Sequence, residues 1–158
     1  MAHRSVPLSR TWVLGLPLVG GSTGRRALGR TVIGAGSTPL GGGPTPPVKV
    51  GDELVVRIEL RTDRDMEYVH MKDHRGSGTE PVNVLSRYKY QDGLGYYEST
   101  RDTASHFYLD YLPKGVYVFE YSVRVQHRGQ YQTGMTNVQC MYAPEFNSHS
   151  QSIGLKVE

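Results

Sequence analysis

The sequence predicts an all-β protein, an antiparallel β-sandwich of about seven to nine strands preceded by a disordered amino-terminal tail. Three observations predict it. After Val48, apolar residues recur at every second position, the period of a strand with one buried face. Turn-forming residues interrupt these runs at short intervals, as between the strands of a sandwich. No segment sustains the 3.6-residue period of an amphipathic helix. The 11 tyrosines against a single tryptophan suit the same class, because aromatic and β-branched side chains favour strands.

The strongest strand signal runs from Val116 to Val125. There Tyr117, Phe119, Tyr121, Val123 and Val125 alternate with Val118, Glu120, Ser122 and Arg124. Pro113 and Gly115 suit the second and fourth positions of a β-turn just before it. Upstream of that turn, Phe107, Leu109 and Tyr111 share one face of a second alternating run. Two strands around Pro113-Lys114-Gly115 read as a hairpin whose apolar face the rest of the chain covers.

The other elements follow in order. Gly51-Asp52 is a turn, and Leu54, Val56, Ile58 and Leu60 then form the inner face of a long strand. Met66 to Asp73 is a strand with Val69 and Met71 on one face and Tyr68 and His70 on the other. The segment from Glu80 to Leu85 is an edge strand, because Pro81 has no backbone N–H to donate. Gln91 to Gly95 is a loop, and Tyr96 to Thr100 a strand. The chain turns again at Gly129. Met135 to Tyr142 is an apolar strand ended by Ala143-Pro144. Ile153, Leu155 and Val157 line the inner face of the last one.

The chain divides into a tail, 1–47, and a domain, 48–158. The tail holds ten glycines, six prolines, five arginines and no acidic residue, and so carries +5. The remainder, with 13 Lys+Arg and 15 Asp+Glu, carries −2. The basic pI of about 9.0 is therefore a property of the tail and does not argue for nucleic-acid binding by the domain. Composition of this kind buries too little apolar surface to offset chain entropy, so the tail is expected to be disordered or to form short extended pieces on the domain. Arg4 and Arg10 precede an apolar run, Trp12 to Val19, in the manner of a secretory leader, but Pro17 interrupts it and no A-x-A site follows. Gly15 and Gly20 have phosphate-loop spacing, yet Gly21 stands where the lysine belongs. The plainer reading is a linker or a segment extraneous to the domain. No run approaches the roughly 18 apolar residues of a membrane span.

Few residues suggest chemistry. His70 and His74 are four apart near Glu67 and Asp73, but metal-binding H-x-x-x-H pairs sit on helices and this segment reads as strand and loop. Cys140, the single cysteine, has no neighbouring base and reads as a buried packing group. No G-x-S-x-G nucleophile elbow is present. Glu98, Asp102, Glu120 and Glu145 are scattered. No catalytic residue, cofactor or metal is expected. Tyr88 and Tyr90 flank Lys89, and Tyr96 and Tyr97 follow closely. These four tyrosines are the candidate interaction surface, for a neighbouring domain, a glycan or a single strand of nucleic acid.

From about Val48 to Glu158 the chain resembles the last macroglobulin-like domain of bacterial alpha-2-macroglobulins. Three pieces carry the resemblance. The first is Tyr68-Val69-His70-Met71-Lys72-Asp73 with Gly78-Thr79-Glu80-Pro81-Val82-Asn83. The second is Leu112-Pro113-Lys114-Gly115-Val116-Tyr117 with Glu120-Tyr121-Ser122-Val123-Arg124. The third is Gly129-Gln130-Tyr131 with Met141-Tyr142-Ala143-Pro144-Glu145. The resemblance implies an immunoglobulin-like or macroglobulin-like sandwich. It also implies a non-catalytic terminal module of an exported protease trap, in the periplasm or at the cell surface. Its partners would be neighbouring domains of a larger chain, with proteases engaged only indirectly. The family's thioester motif Cys-Gly-Glu-Gln is not matched, since Met141-Tyr142-Ala143 follows Cys140.

Two other functions compete with this expectation. One is a free-standing surface module for glycan or peptide using Tyr88 to Tyr97. The other is a metal-dependent enzyme, which the zinc content of purified protein would reveal. No nucleic-acid partner and no membrane span are expected.

Overall fold

A computed structural model describes residues 27–34, 48–91, 93–150, 152 and 154–158, with side chains from Val48 onward. The readings of Trp12 to Val19, of Gly15 and Gly20, and of Ile153 lie outside the described residues. Among those described there are twelve strands and no helix. They are β1 (Ala27–Gly34), β2 (Glu53–Thr62), β3 (Met66–His74), β4 (Thr79–Pro81), β5 (Arg87–Gln91), β6 (Leu94–Thr100), β7 (Ala104–Leu112), β8 (Gly115–Val125), β9 (Gly129–Gln132), β10 (Thr136–Cys140), β11 (Asn147–His149) and β12 (Gly154–Val157).

A four-stranded sheet, ordered β1-β2-β8-β4, packs on a six-stranded sheet, ordered β11-β10-β3-β7-β6-β5, and β12 and β9 form a separate pair. All named pairings are antiparallel. Val48 adds a parallel bridge to Val157, and its carbonyl accepts the Glu158 N–H at 2.8 Å. The all-β sandwich is thus as the sequence predicts. The strand count is higher because β1 lies in Gly-rich sequence and β5, β9 and β11 are short and mostly polar, so they carry no apolar alternation.

The expected hairpin is not one. β7 belongs to the six-stranded sheet and β8 to the four-stranded sheet, so Pro113-Lys114 forms an arch across the sandwich. Period two says only that each strand has one buried face. Here the two faces meet through the core, with the Phe107 and Phe119 rings 5.5 Å apart and Phe107 and Tyr121 6.2 Å apart. The arch also finds its polar partners elsewhere. The Lys114 N–H donates to Asp65 Oδ1 at 2.7 Å, and the Tyr117 hydroxyl donates to the Pro113 carbonyl at 3.0 Å. Tyr111 leaves the inner face, and Leu112 replaces it there. Asp65 accepts the Tyr111 hydroxyl as well, and these two hydrogen bonds, Lys114 first, hold its carboxyl below the usual range.

The core lies between the sheets. Leu54, Val56, Ile58 and Leu60 of β2 and Phe119, Val123 and Val125 of β8 face Val69 and Met71 of β3 and Phe107, Leu109 and Leu112 of β7. Burying side chains of this size contributes roughly 1.5–3 kcal/mol each. One polar group interrupts the apolar face. Asp73 continues the inward period of Val69 and Met71 and is fully buried, where it accepts hydrogen bonds from the Thr136 hydroxyl at 2.7 Å and from the Tyr121 hydroxyl. Those contacts tie β3 to β10 and to the opposite sheet through β8. At the far edge, Lys89 of β5 turns inward and pairs with buried Glu98 of β6. An inward charge on an edge strand discourages a further strand from adding to it.

Candidate functional site: an aromatic face on the six-stranded sheet

The pairing registers decide which side chains meet on the outer face of the six-stranded sheet. Tyr88 of β5 lies opposite Tyr97 of β6, Tyr97 opposite Tyr108 of β7, Tyr108 opposite His70 of β3, and His70 opposite Gln139 of β10. Antiparallel neighbours directly opposite each other place their side chains in contact. The result is a single row of rings running across four strands. Centroid separations along it are 4.9, 6.5 and 4.7 Å.

Of the four tyrosines picked out in sequence, Tyr88 and Tyr90 are 76% and 86% exposed, and Tyr97 joins the row half-buried. Tyr96 does not belong to this surface. It is 3% exposed and points into the core, with its ring 5.2 Å from Phe119 and 6.0 Å from Phe107. The alternation of strand β6 requires this, since Tyr96 shares the inward parity of Leu94. Tyr108 and His70, which the sequence reading left out of the surface, complete it. Their signal was the outward parity of β7 and β3, but nothing local reveals that those strands are neighbours.

The His70 and Tyr108 rings are stacked within 9° at 4.7 Å. Parallel rings on adjacent strands turn their faces toward each other, so their edges and polar tips meet solvent. Such a surface suits hydrogen bonding to a protein.

His70 also meets His106 of β7. His70 Nε2 and His106 Nδ1 are 2.9 Å apart, and the two rings lie within 7° of one another with centroids 5.2 Å apart. Those values describe nearly coplanar imidazoles joined edge to edge by one hydrogen bond, one ring donating and the other accepting. Burial holds the His70 imidazole below the ordinary 6.5, and Lys72 adds to the effect. His106 is lowered by burial first, then by His70, Lys72, Arg101 and His74. His70 and His74 do not form the metal pair considered from sequence, since four residues along a strand separate two side chains by roughly 13 Å. Among the described residues no group of three His, Cys, Asp or Glu side chains could hold a metal ion.

The opposite outer face differs in character. On the four-stranded sheet, Arg57 and Glu120 form an ion pair at 3.7 Å, and Glu59, Arg61 and Arg124 are exposed beside it. That is a solvated surface. The charged residues at outer positions of β3 and β7 are Glu67, Lys72 and Asp110, among rings and imidazoles.

A second aromatic cluster lies at one end of the sandwich, around a cleft of about 510 Å³. Tyr68, Tyr111, Tyr142 and Phe146 line it, with the Arg64 guanidinium 5.3 Å from the centre of the Phe146 ring. Tyr68 has φ 51°, uncommon for a residue with a side chain, and meets the edge of Tyr142 at 5.2 Å. Cys140 borders this cleft and is buried, with Sγ 3.6 Å from Met66 Sδ. Among the described residues, no helix is long and apolar enough to cross a membrane.

Residues 30–145 match the family model described as the bacterial alpha-2-macroglobulin MG10 domain. The fold is similar to Escherichia coli alpha-2-macroglobulin activated by porcine elastase, at 18% identity and a TM-score of 0.69 over 92% of this chain and 14% of that one. It is similar to Salmonella alpha-2-macroglobulin reacted with methylamine, at 18% identity and a TM-score of 0.64 over 97% and 10%. It is also similar to native Escherichia coli alpha-2-macroglobulin spanning domain MG7 to the C-terminus, at 15% and 0.63 over 98% and 25%. A curated protein, Circularly permutated Ras protein 2 of Dictyostelium discoideum, is 21% identical over 106 residues, which are 67% of this chain and 3% of that protein. The chain therefore spans a quarter or less of each of these relatives.

Proposed function

The chain belongs to the family of bacterial alpha-2-macroglobulin MG10 domains, and on that premise we propose that it is a non-catalytic interaction module of a larger, exported protease-inhibitor protein. Its partners in this reading are neighbouring domains of the same assembly, and proteases are engaged only through them. The site of action is the bacterial envelope, in the periplasm or at the cell surface. Nucleic acid is not a partner, because the basic charge resides in residues 1–47 and the remainder is slightly acidic.

The observation that carries this reading is the contrast between the two outer faces. One is charged and solvated. The other is a row of rings with few charges, and exposed aromatic patches of this kind mark surfaces that another protein covers. The end cleft with Tyr68 and Tyr142 adds a second such area. The absence of a recognisable nucleophile in the sequence supports a non-catalytic role. In a domain taken out of its assembly, the uncovered face drives weak self-association.

Two measurements test this. Purified chain is incubated with several proteases and a large protein substrate. The expected outcome is neither cleavage by the chain nor protection of the substrate, and a covalent adduct through Cys140 or clear protection would overturn the reading. Sedimentation velocity is expected to show concentration-dependent association that Tyr88→Asp and Tyr108→Asp abolish. Monomeric behaviour at every concentration would remove the case for this face.

A further inference from the structure

We propose that the aromatic face is a pH-sensitive contact, held in its docking form while His70 and His106 share a hydrogen bond and released when both imidazoles carry a proton. The inference rests on the reading of this face as an interface. Its basis is the geometry of the pair. The ring nitrogens are 2.9 Å apart with the rings nearly coplanar, so a single proton lies between them. One proton added to the neutral pair leaves the bond intact, because an imidazolium still donates to a neutral partner. A second proton removes the only acceptor, and two N–H groups then point at each other with like charges.

The surroundings couple the pair to the row and oppose the second proton. Tyr108 lies parallel to both rings, 4.7 Å from His70 and 6.2 Å from His106, so any rotation of either imidazole disturbs the row. Lys72 stands opposite His106 on β3, and His74 and Arg101 also act on His106 with positive charge. β10 contributes Gln139 and Asn137 opposite His70 and Lys72, which carry no charge. From β6, Tyr97 lies opposite Tyr108 and Ser99 opposite His106. Asp110 is the one carboxylate at an outward position of β7, and it lies beyond Tyr108 from His106. No carboxylate borders the pair to offset a second proton. Burial acts in the same direction, favouring the neutral rings.

The geometry also argues against a metal as the shared ligand. With the two ring nitrogens aimed at one another, an ion at the roughly 2.0–2.1 Å of an imidazole bond would require the rings to separate well beyond 2.9 Å.

Two experiments on the full chain separate the pair from the interface. Histidine ring resonances are followed by NMR across about pH 8 to 4.5, a range bracketing the ordinary imidazole value. His70 and His106 are expected to titrate below 6.5 with coupled, broadened curves, and His106→Gln is expected to leave His70 with a simple one-proton curve. Independent titration of the two rings in the unaltered chain would overturn the proposal. Self-association is then measured at about pH 7.5 and at the pH where the resonances show both rings protonated. The expected result is association at least about tenfold weaker at the lower pH, a difference abolished in His70→Phe/His106→Phe and reduced in His106→Gln. Association that is present but insensitive to pH overturns the gate alone. Absence of association at both values overturns the interface reading and the gate with it.

Discussion

Asp73 is where one side chain carries the most structural consequence. It is fully buried, and it accepts hydroxyl hydrogen bonds from Thr136 and Tyr121 on two different elements. Asp73→Ala would remove the carboxylate that accepts from both hydroxyls. Equilibrium urea unfolding is expected to show a loss of about 3 kcal/mol, with Asp73→Asn recovering part of it because an amide oxygen still accepts. The histidine pair has a different consequence at this scale. Both folded-state imidazoles are held below 6.5, chiefly by burial. Below that value the unfolded chain binds protons that the folded chain resists. No penalty exists above the ordinary imidazole pKa; it grows as pH falls through 6.5 and is complete below the lowered folded values. Urea midpoints recorded from about pH 8 to about pH 5 are expected to fall in the unaltered chain and to fall less in His70→Phe/His106→Phe. Tyr96 shows how side-chain parity sorts neighbours. Adjacent to Tyr97 in sequence, it packs on Phe119 inside the core while Tyr97 joins the outer row.

Among the elements, the approach to β10 is the most constrained. Gly134 precedes it with φ 77°, and a Cβ built there would lie 2.7 Å from both Cβ and O of His74. Backbone cannot yield as a flexible side chain can. Gly134→Ala is therefore expected to destabilise by about 2 kcal/mol or more, read as a lowered thermal midpoint. Gly51 has a comparable φ of 92° but open space around it, so Gly51→Ala serves as the control for backbone strain without a clash. The arch between β7 and β8 depends on Asp65, which receives Lys114 N–H and the Tyr111 hydroxyl. This explains why a two-residue Pro-Lys connection crosses between sheets: its backbone donor is satisfied by a turn from the neighbouring arch between β2 and β3. The edges of the six-stranded sheet are managed separately, by the inward Lys89–Glu98 pair at β5 and by the short β11 at the other side.

For the molecule as a whole, we propose that residues 48–158 fold as a unit without the preceding segment. The core cluster among the described side chains is drawn from Leu54 to Val157. β1 pairs with β2 from Ala27↔Arg61 to Gly34↔Leu54, so it extends an edge by backbone hydrogen bonding. A chain starting at Val48 is expected to melt cooperatively and to lose less than about 2 kcal/mol in urea titration against the full chain. It should aggregate more readily, because β2 would become an open edge. A larger loss would place β1 inside the folding unit.

Much of this fold was legible in one dimension. Alternation identified β2, β3, β7 and β8 and, Tyr111 of β7 apart, the residues that share a face in each, since a side-chain period of two depends only on the strand itself. The composition of residues 1–47 separated their charge from that of the remainder. Tyr88, Tyr90, Tyr96 and Tyr97 were picked out because they cluster in sequence, and clustering alone does not separate Tyr96, which lies in the core, from the other three. The missing part is relational. The same alternation in β7 and β8 fits a hairpin or an arch, and only the assembled sandwich puts them in different sheets. Asp73 was read only as a carboxylate near His70 and His74; it shares the parity of Val69 and Met71, and its partners come from residues 48 and 63 positions away. His70 and His106, 36 positions apart, meet because β3 and β7 are neighbours and their register places the rings side by side. Local chemistry decides which face of a strand is buried; which strand lies beside it is settled by how all the buried faces pack at once.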